Sequence, residues 1–177
     1  MGTKLTYPLD ILFKIAYELK KDGKRICLTH GAFDLFHDGH LYLINQSAKI
    51  CDYLIVGIEG DKRIAEYKEK KRPIISQKQR INLINSIENV DATFVKDIPF
   101  NVGSHADLYK ELKVDIVTIG RFFQYEEIVK EQASKAGAKL SKIYNDRGVS
   151  TTSIIDTIIK KYSPSETEYQ EVPKTDF

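Results

Sequence analysis

His37 and His40 carry the most concentrated polar chemistry in the chain. They stand in GAFDLFHDGH (31–40), separated only by Asp38 and the side-chain-free Gly39. Imidazoles spaced in this way can ligate a metal, move a proton or donate hydrogen bonds to phosphate oxygens. A zinc site needs further ligand pairs, and His30, His105, Cys27 and Cys51 supply none at ligand spacing. The apolar run ICL (26–28) just before the motif reads as a buried strand, so the histidines open a helix just past its carboxyl end. In an α/β sheet, phosphate-bearing ligands bind at that position. A redox dinucleotide fingerprint would place three glycines there, whereas only Gly31 is present, and no phosphate loop ending in Gly-Lys-Ser occurs.

The elements that must hold these histidines can be read in order. Ile11, Leu12, Ile15, Ala16 and Leu19 recur at helical spacing over 8–21, with Asp10 early and lysines late, as a helix dipole favours. Strand 25–29 follows, then a helix through LYLINQSAKI, then the continuous apolar run YLIVGI (53–58) of a strand buried on both faces. The highly charged segment 59–72 reads as a mobile loop or short helix ending at Pro73. Ser76 with Gln79 three residues later forms a capping box for the next helix. Strand 92–95, helix 106–112, strand 114–120, helix 126–136 closed by Gly137, strand 139–144 and helix 154–159 complete the pattern. Five strands alternating with helices predict an α/β fold, a single doubly wound, Rossmann-like five-stranded parallel sheet with helices on both faces. A single domain, including the helix at 8–21, spans 1–162. From 163 the Ser-, Pro- and Glu-rich sequence reads as a flexible acidic tail.

A chain of 177 residues accommodates one domain with a substantial core. Its formal charge of +2 does not by itself imply a nucleic-acid or membrane partner. Cys27 and Cys51 lie in apolar contexts and read as buried reduced thiols. No stretch approaches the ~20 apolar residues of a spanning helix, and no secretory leader pattern is present. A cytoplasmic protein with no nucleic-acid and no membrane partner is the expectation.

Three segments carry a family resemblance. GAFDLFHDGH (31–40) resembles the His-x-Gly-His signature of the cytidylyltransferase-like nucleotidyltransferases, RPIISQKQR (72–80) is similar to their central segment with a helical arginine, and GVSTTSI (148–154) to their closing Gly-x-Ser-Thr-Thr-x-Ile motif. The three occur in the family's order and take in about residues 24–160. The resemblance implies transfer of a nucleoside monophosphate from CTP or ATP to a phosphorylated acceptor, with release of pyrophosphate, magnesium as the nucleotide's cofactor, and a homodimer. An acceptor phosphate is already anionic, so catalysis reduces to in-line positioning and charge stabilisation without a general base.

By the same resemblance His37 and His40 contact the nucleotide phosphates and transition-state oxygens. The backbone at His30 and Gly31 runs beside the triphosphate, Phe33 and Gly39 belong to the same nucleotide-binding motif, and Asp34 holds the turn or a neighbouring group. Lys68, Lys70, Lys71 and Arg72 are candidates to close over the triphosphate, with Lys71 favoured. Arg80 occupies the place of the family's phosphate-binding arginine, and Gly120 ends a strand at the same sheet edge. Ser150, Thr151 and Thr152 exceed the single hydroxyl that a helix cap needs, which suits an anion site. No protein side chain is expected to ligate the metal.

Two departures bear on substrate. Asn145-Asp146-Arg147-Gly148 replaces the Arg-Thr-x-Gly of the glycerol- and ethanolamine-phosphate cytidylyltransferases and, with the N-terminal helix, resembles the heptose-phosphate adenylyltransferase branch. After Gly120, where relatives carry an acid, stand Arg121, Phe122 and Phe123, candidates to bind an anionic or ring-bearing acceptor. The expected reaction is transfer of CMP or AMP to a sugar or polyol phosphate. Adenylyl transfer to FMN and a non-catalytic nucleotide-binding regulatory subunit are the alternatives, the latter opposed by the intact His37, His40 and Ser-Thr-Thr.

Overall fold

The computed structural model describes residues 6–68, 71–97, 104–121, 123–144 and 148–163. Within them the order is α1 (Leu9–Lys21), β1 (Ile26–Gly31), α2 (Asp38–Ala48), β2 (Tyr53–Glu59), α3 (Asp61–Tyr67), α4 (Gln77–Asn85), β3 (Ala92–Lys96), α5 (Ser104–Glu111), β4 (Ile116–Gly120), α6 (Glu126–Lys135), β5 (Lys139–Ile143) and α7 (Thr151–Tyr162). All pairings are parallel, in the sheet order β3-β2-β1-β4-β5. The chain therefore builds outward from β1 on one side, then returns to start β4 on the other. That reversal opens a crevice beside the carboxyl end of β1.

Alternation along the strands sorts the core into two layers. Ile26 and Leu28 of β1, Ile55 of β2 and Phe94 of β3 face Leu12 and Ala16 of α1, Leu108 and Tyr109 of α5, and Val129 and Ala133 of α6. Cys27, Leu54, Val56 and Ile58 face Ile44 of α2 and Ile84 of α4. Helices thus cover both faces, which is why the strands read as unbroken apolar runs. Cys27 and Cys51 are free thiols.

Strand β1 runs two residues further than its apolar run predicts. Register pairing of His30 with Gly57 and Gly31 with Ile58 holds both in the sheet, so these two residues belong to the strand and not to the turn. The charged segment after β2 contains a helix, α3, and the last helix is longer than 154–159. The capping box at Ser76 is present, with Gln79 Oε1 accepting from the Ser76 amide at 3.2 Å. The acidic tail lies, from residue 164, outside the described residues. None of the described helices is long and apolar enough to cross a membrane.

Gly57 has a steric role in the middle of β2. A Cβ there would stand 2.8 Å from the Phe94 ring and 3.1 Å from the His30 Cβ. Its absence lets side chains of β1 and β3 approach one another across the intervening strand.

Candidate active site

Gly31, Glu59, Lys96, Gly120 and Ile143, the last residues of the five strands, all line one cavity of about 630 Å³. Strands ~4.8 Å apart make this edge ~19 Å wide, enough for a nucleoside triphosphate and an acceptor placed end to end. A Cβ on Gly120 would meet nothing within 4 Å, so the space kept open there belongs to the cavity.

His37 caps α2 in an extended conformation and His40 lies in its first turn. Their rings stack with centroids 3.7 Å apart and planes 21° apart, and the His40 ring also meets the edge of Phe33 at 5.4 Å. Phe33 and Leu35 have φ of 51° and 46°, in the left-handed region. Non-glycine residues there cost about 1–3 kcal/mol each, which the surroundings must offset.

Asp34, between them, supplies the restraint. Its buried carboxylate accepts from the amides of Leu35 (3.1 Å), Ile74 (3.0 Å) and Ile75 (2.9 Å) and from Arg72 Nε at 2.6 Å. Burial alone would raise the Asp34 pKa, but the Ile75 and Ile74 amides and the Arg72 guanidinium outweigh it and hold the group below the usual carboxylate range. Asp34 is therefore a strut joining the β1–α2 turn to the segment before α4, and its carboxylate's acceptor capacity is taken up by donors within the protein. Arg72 Nη2 has no hydrogen-bond partner among the described residues, and Arg72 lines the cavity.

The start of α7 meets the same turn. Thr151 Oγ1 donates to the Asp34 carbonyl at 2.8 Å, and Ser150 Oγ caps the helix by accepting from the Ser153 amide at 3.0 Å. Of the three consecutive hydroxyl residues, two are thus engaged within the protein, while the exposed Thr152 lines the cavity. The N-termini of α2 and α7 both open on this space, a pairing that favours anions.

Burial, the neighbouring His37 and Lys68 push the His40 pKa down to about 3, and burial lowers that of His37. Without ligand both rings are neutral at physiological pH, and the Nδ1 atom of each is buried without a hydrogen-bond partner among the described residues. An unfolded histidine titrates near 6.5. The unfolded chain therefore takes up these protons first, so stability is full above about pH 6.5 and is lost as pH falls from there toward the His40 value of about 3. Thermal midpoints of nucleotide-free protein between pH 7 and pH 5 should fall more steeply for wild type than for His40→Asn. Parallel curves would contradict the assignment.

A second polar group lies along the strand ends on the α5 side. His30 Nε2 is 2.9 Å from Tyr109 Oη, and Lys96 Nζ is 3.2 Å from His30 Nδ1, reaching past Gly57. An ammonium only donates, so Nδ1 accepts and Nε2 carries the proton. Burial, only partly offset by Glu59, lowers the Lys96 pKa to about 8, and burial with the Lys96 charge holds His30 well below its ordinary value. Glu59 Oε1 lies 3.7 Å from Lys96 Nζ and 3.6 Å from Arg63 Nε, while the Tyr67 hydroxyl donates to Oε2. His105, solitary in sequence, comes to 5.8 Å from the His30 ring. The only sequence signal for Glu59 and Lys96 was a charge ending each apolar run.

The structure brings His30, Gly31, Phe33, Gly39, Gly120, Arg121 and Phe123 to the cavity along with the paired histidines and the α7 start. It does not bring Arg80 or Lys71 there. Arg80 is fully buried, donating from Nε to the Ile75 carbonyl at 3.0 Å, from Nη1 to the Ala32 carbonyl, and from Nη2 to Asp61 Oδ1 at 2.6 Å. Those three bonds tie α4 to the β1–α2 turn and to α3, so the guanidinium is spent inside the protein. Lys71 is exposed outside the cavity, where Lys68 and Arg72 stand instead. Lys70 and Phe122 lie outside the described residues.

Residues 28–157 match the model of the family described as cytidylyltransferase-like. The bifunctional protein HldE of Desulfatibacillum aliphaticivorans is 33% identical over 152 residues, covering 85% of this chain and 30% of that protein. HldE of Geobacter sulfurreducens is 31% identical over 157 residues, 87% of this chain and 31% of its own length. The chain thus spans less than a third of the length of these curated relatives. Among solved structures, the lipopolysaccharide core biosynthesis protein of Thermoplasma volcanium superposes with a TM-score of 0.56 at 25% identity, over 69% of this chain and 96% of its own. The pantoate-beta-alanine ligase of Francisella tularensis shares the fold, with a TM-score of 0.61 at 14% identity over 90% and 78% of the two chains.

Proposed function

The chain belongs to the cytidylyltransferase-like family of nucleotidyltransferases, and from that premise we propose that it transfers AMP from ATP to a small phosphorylated sugar or polyol, releasing pyrophosphate. The observation that carries this reading is the stacked His37–His40 pair at the mouth of α2, facing the start of α7 inside one cavity along the whole sheet edge. In the reaction, an oxygen of the acceptor phosphate bonds to the α-phosphorus as the bond to the α,β-bridging oxygen breaks, and pyrophosphate leaves with the electron pair. The nucleophile is already charged, so neutral imidazoles serve as hydrogen-bond donors to the crowded phosphate oxygens and need not remove a proton. Lys68 and the unpartnered Nη2 of Arg72 would take charge on the departing pyrophosphate.

ATP is favoured over CTP because Asn145-Asp146-Arg147-Gly148 lacks the arginine placement of the cytidylyl branch and resembles the heptose-phosphate adenylyltransferases. A saccharide acceptor agrees with the Thermoplasma relative, a lipopolysaccharide core biosynthesis protein, since such a core is built of sugars. For magnesium, Asp34 is consumed by protein donors, Glu59 is ringed by cations, and the described residues hold no group of three or more acidic, histidine or cysteine side chains suited to cage an ion. The ion would therefore be held mainly by the triphosphate itself, where it would neutralise charge.

Thermal shift with magnesium and each of the four nucleoside triphosphates tests the donor. Ligand at 100 times its Kd adds about 2.7 kcal/mol to the folded state, so ATP should raise the midpoint clearly and the others little. Pyrophosphate release with sugar 1-phosphates, glycerol 3-phosphate and FMN then tests the acceptor. A shift with CTP alone, turnover with FMN alone, or no shift with any nucleotide would each overturn the proposal.

A further inference from the structure

We propose that Glu59, Lys96 and Gln132, three buried polar side chains lining the cavity, read the hydroxyls of a polyhydroxylated acceptor and make the chain selective for it. The inference rests on the nucleotidyltransferase reading above and identifies which part of the acceptor these residues meet.

All three side chains line the cavity and are almost wholly buried, with 5%, 1% and 0% exposure respectively. Yet their hydrogen-bonding capacity is not consumed within the protein. Gln132, on α6, uses Oε1 to accept from the Ala106 amide at 3.2 Å, while its Nε2 has no partner among the described residues. Glu59 Oε1 sits 3.6 and 3.7 Å from two cations, inside ion-pair range but beyond a hydrogen bond from either. Lys96 has three N–H bonds, one of which is directed at His30. Buried polar groups are ordinarily paired, and an amide donor and a carboxylate acceptor left with spare capacity on one cavity wall await groups that accept and donate.

An alcohol hydroxyl is such a group. One hydroxyl can accept from Lys96 Nζ while donating to Glu59 Oε1, 3.7 Å from it, and another can accept from Gln132 Nε2. A fully ionised phosphate fits poorly here, because it has no proton to give the spare lone pair of Glu59. A flavin ring or alkyl chain would leave all three side chains desolvated and unpaired. The charged end of the acceptor accordingly belongs at the His37–His40 clamp, and its neutral, hydroxyl-bearing end at these residues.

Isothermal titration with aldose 1-phosphates of five to seven carbons, each beside its mono-deoxy counterparts, tests this. At least one fully hydroxylated sugar phosphate should bind roughly 10- to 100-fold more tightly than a counterpart lacking one hydroxyl. Gln132→Glu, which keeps the acceptor for Ala106 but turns the donor into an acceptor, and Glu59→Gln should each erase that ratio while leaving the thermal shift with ATP in place. Equal binding of hydroxylated and deoxy compounds overturns the subsite, as does ATP binding with no sugar phosphate bound, or a ratio unchanged in both variants. Hydroxyl-dependent binding in a protein that shows no shift with ATP would uphold the subsite and overturn the nucleotidyl-transfer reading instead.

Discussion

His40→Ala should lower ATP-dependent pyrophosphate release by about 10²- to 10³-fold in kcat, the size of the effect when one preorganised donor is removed from a transition state. The His40 ring is held on three sides, by His37 at 3.7 Å and by Phe33 and Phe36 at 5.4 and 5.6 Å. A donor so confined is already aimed, and water entering the vacated space would have to be ordered at each turnover. The loss should fall mainly on kcat, because in the proposed reaction the helix N-termini, Lys68 and Arg72 would still hold the ground-state triphosphate. Folding should tolerate the change, since a neutral imidazole with an unpartnered Nδ1 contributes no hydrogen bond through that atom. Steady-state kinetics beside a thermal midpoint separate the two effects. Wild-type turnover in a folded His40→Ala protein would remove the histidine from the chemistry.

Arg80→Met should do the reverse. The substitution deletes donors to two backbone carbonyls and to Asp61 from a position with no solvent access. Removing one member of a buried ionic network typically costs about 3–5 kcal/mol, here moderated because Asp61 remains 45% exposed and can be rehydrated. A loss of about 3 kcal/mol corresponds to a fall of roughly 6–12 °C in midpoint for a chain of this size. The nucleotide affinity of the protein that stays folded should change little. An unchanged midpoint with a large rise in the KM for ATP would place Arg80 on the nucleotide after all.

These two residues also mark how far the sequence could be read. The pattern of apolar runs and caps located every strand and predicted the parallel sheet, because strands buried on both faces leave a continuous signature and the Ser76 box fixes a helix start by local chemistry alone. The motif 31–40 could be placed at a sheet edge for the same reason. Arg80 could not be resolved that way. Motif position says that a guanidinium is present, but whether it faces solvent, ligand or backbone depends on the path of the 72–75 segment, which Asp34 sets from 40 residues away in the case of Ile74. Lys68, at the end of α3, lines the cavity, whereas Lys71 stands exposed outside it, a difference the run of like charges does not show. Glu59 and Lys96 show in sequence only as charges ending apolar runs and Gln132 not at all, because what matters is the cavity they share; Gly57, whose missing side chain lets Lys96 reach His30, looks in sequence like any glycine in a strand.

The bond from Thr151 to the Asp34 carbonyl spans 117 residues of chain. A ribosome releases the His37–His40 turn early, and the whole sheet can form once β5 at Lys139–Ile143 has emerged. The closing face of the site is still missing then, because α7 follows β5 in the chain and has no fully buried residue to draw it in ahead of its partner. Pairings of such long sequence separation form late. Closure of the cavity at this turn therefore waits for α7, so a copy of the chain ending after β5 carries both histidines without the Thr151 contact that secures the turn beside them.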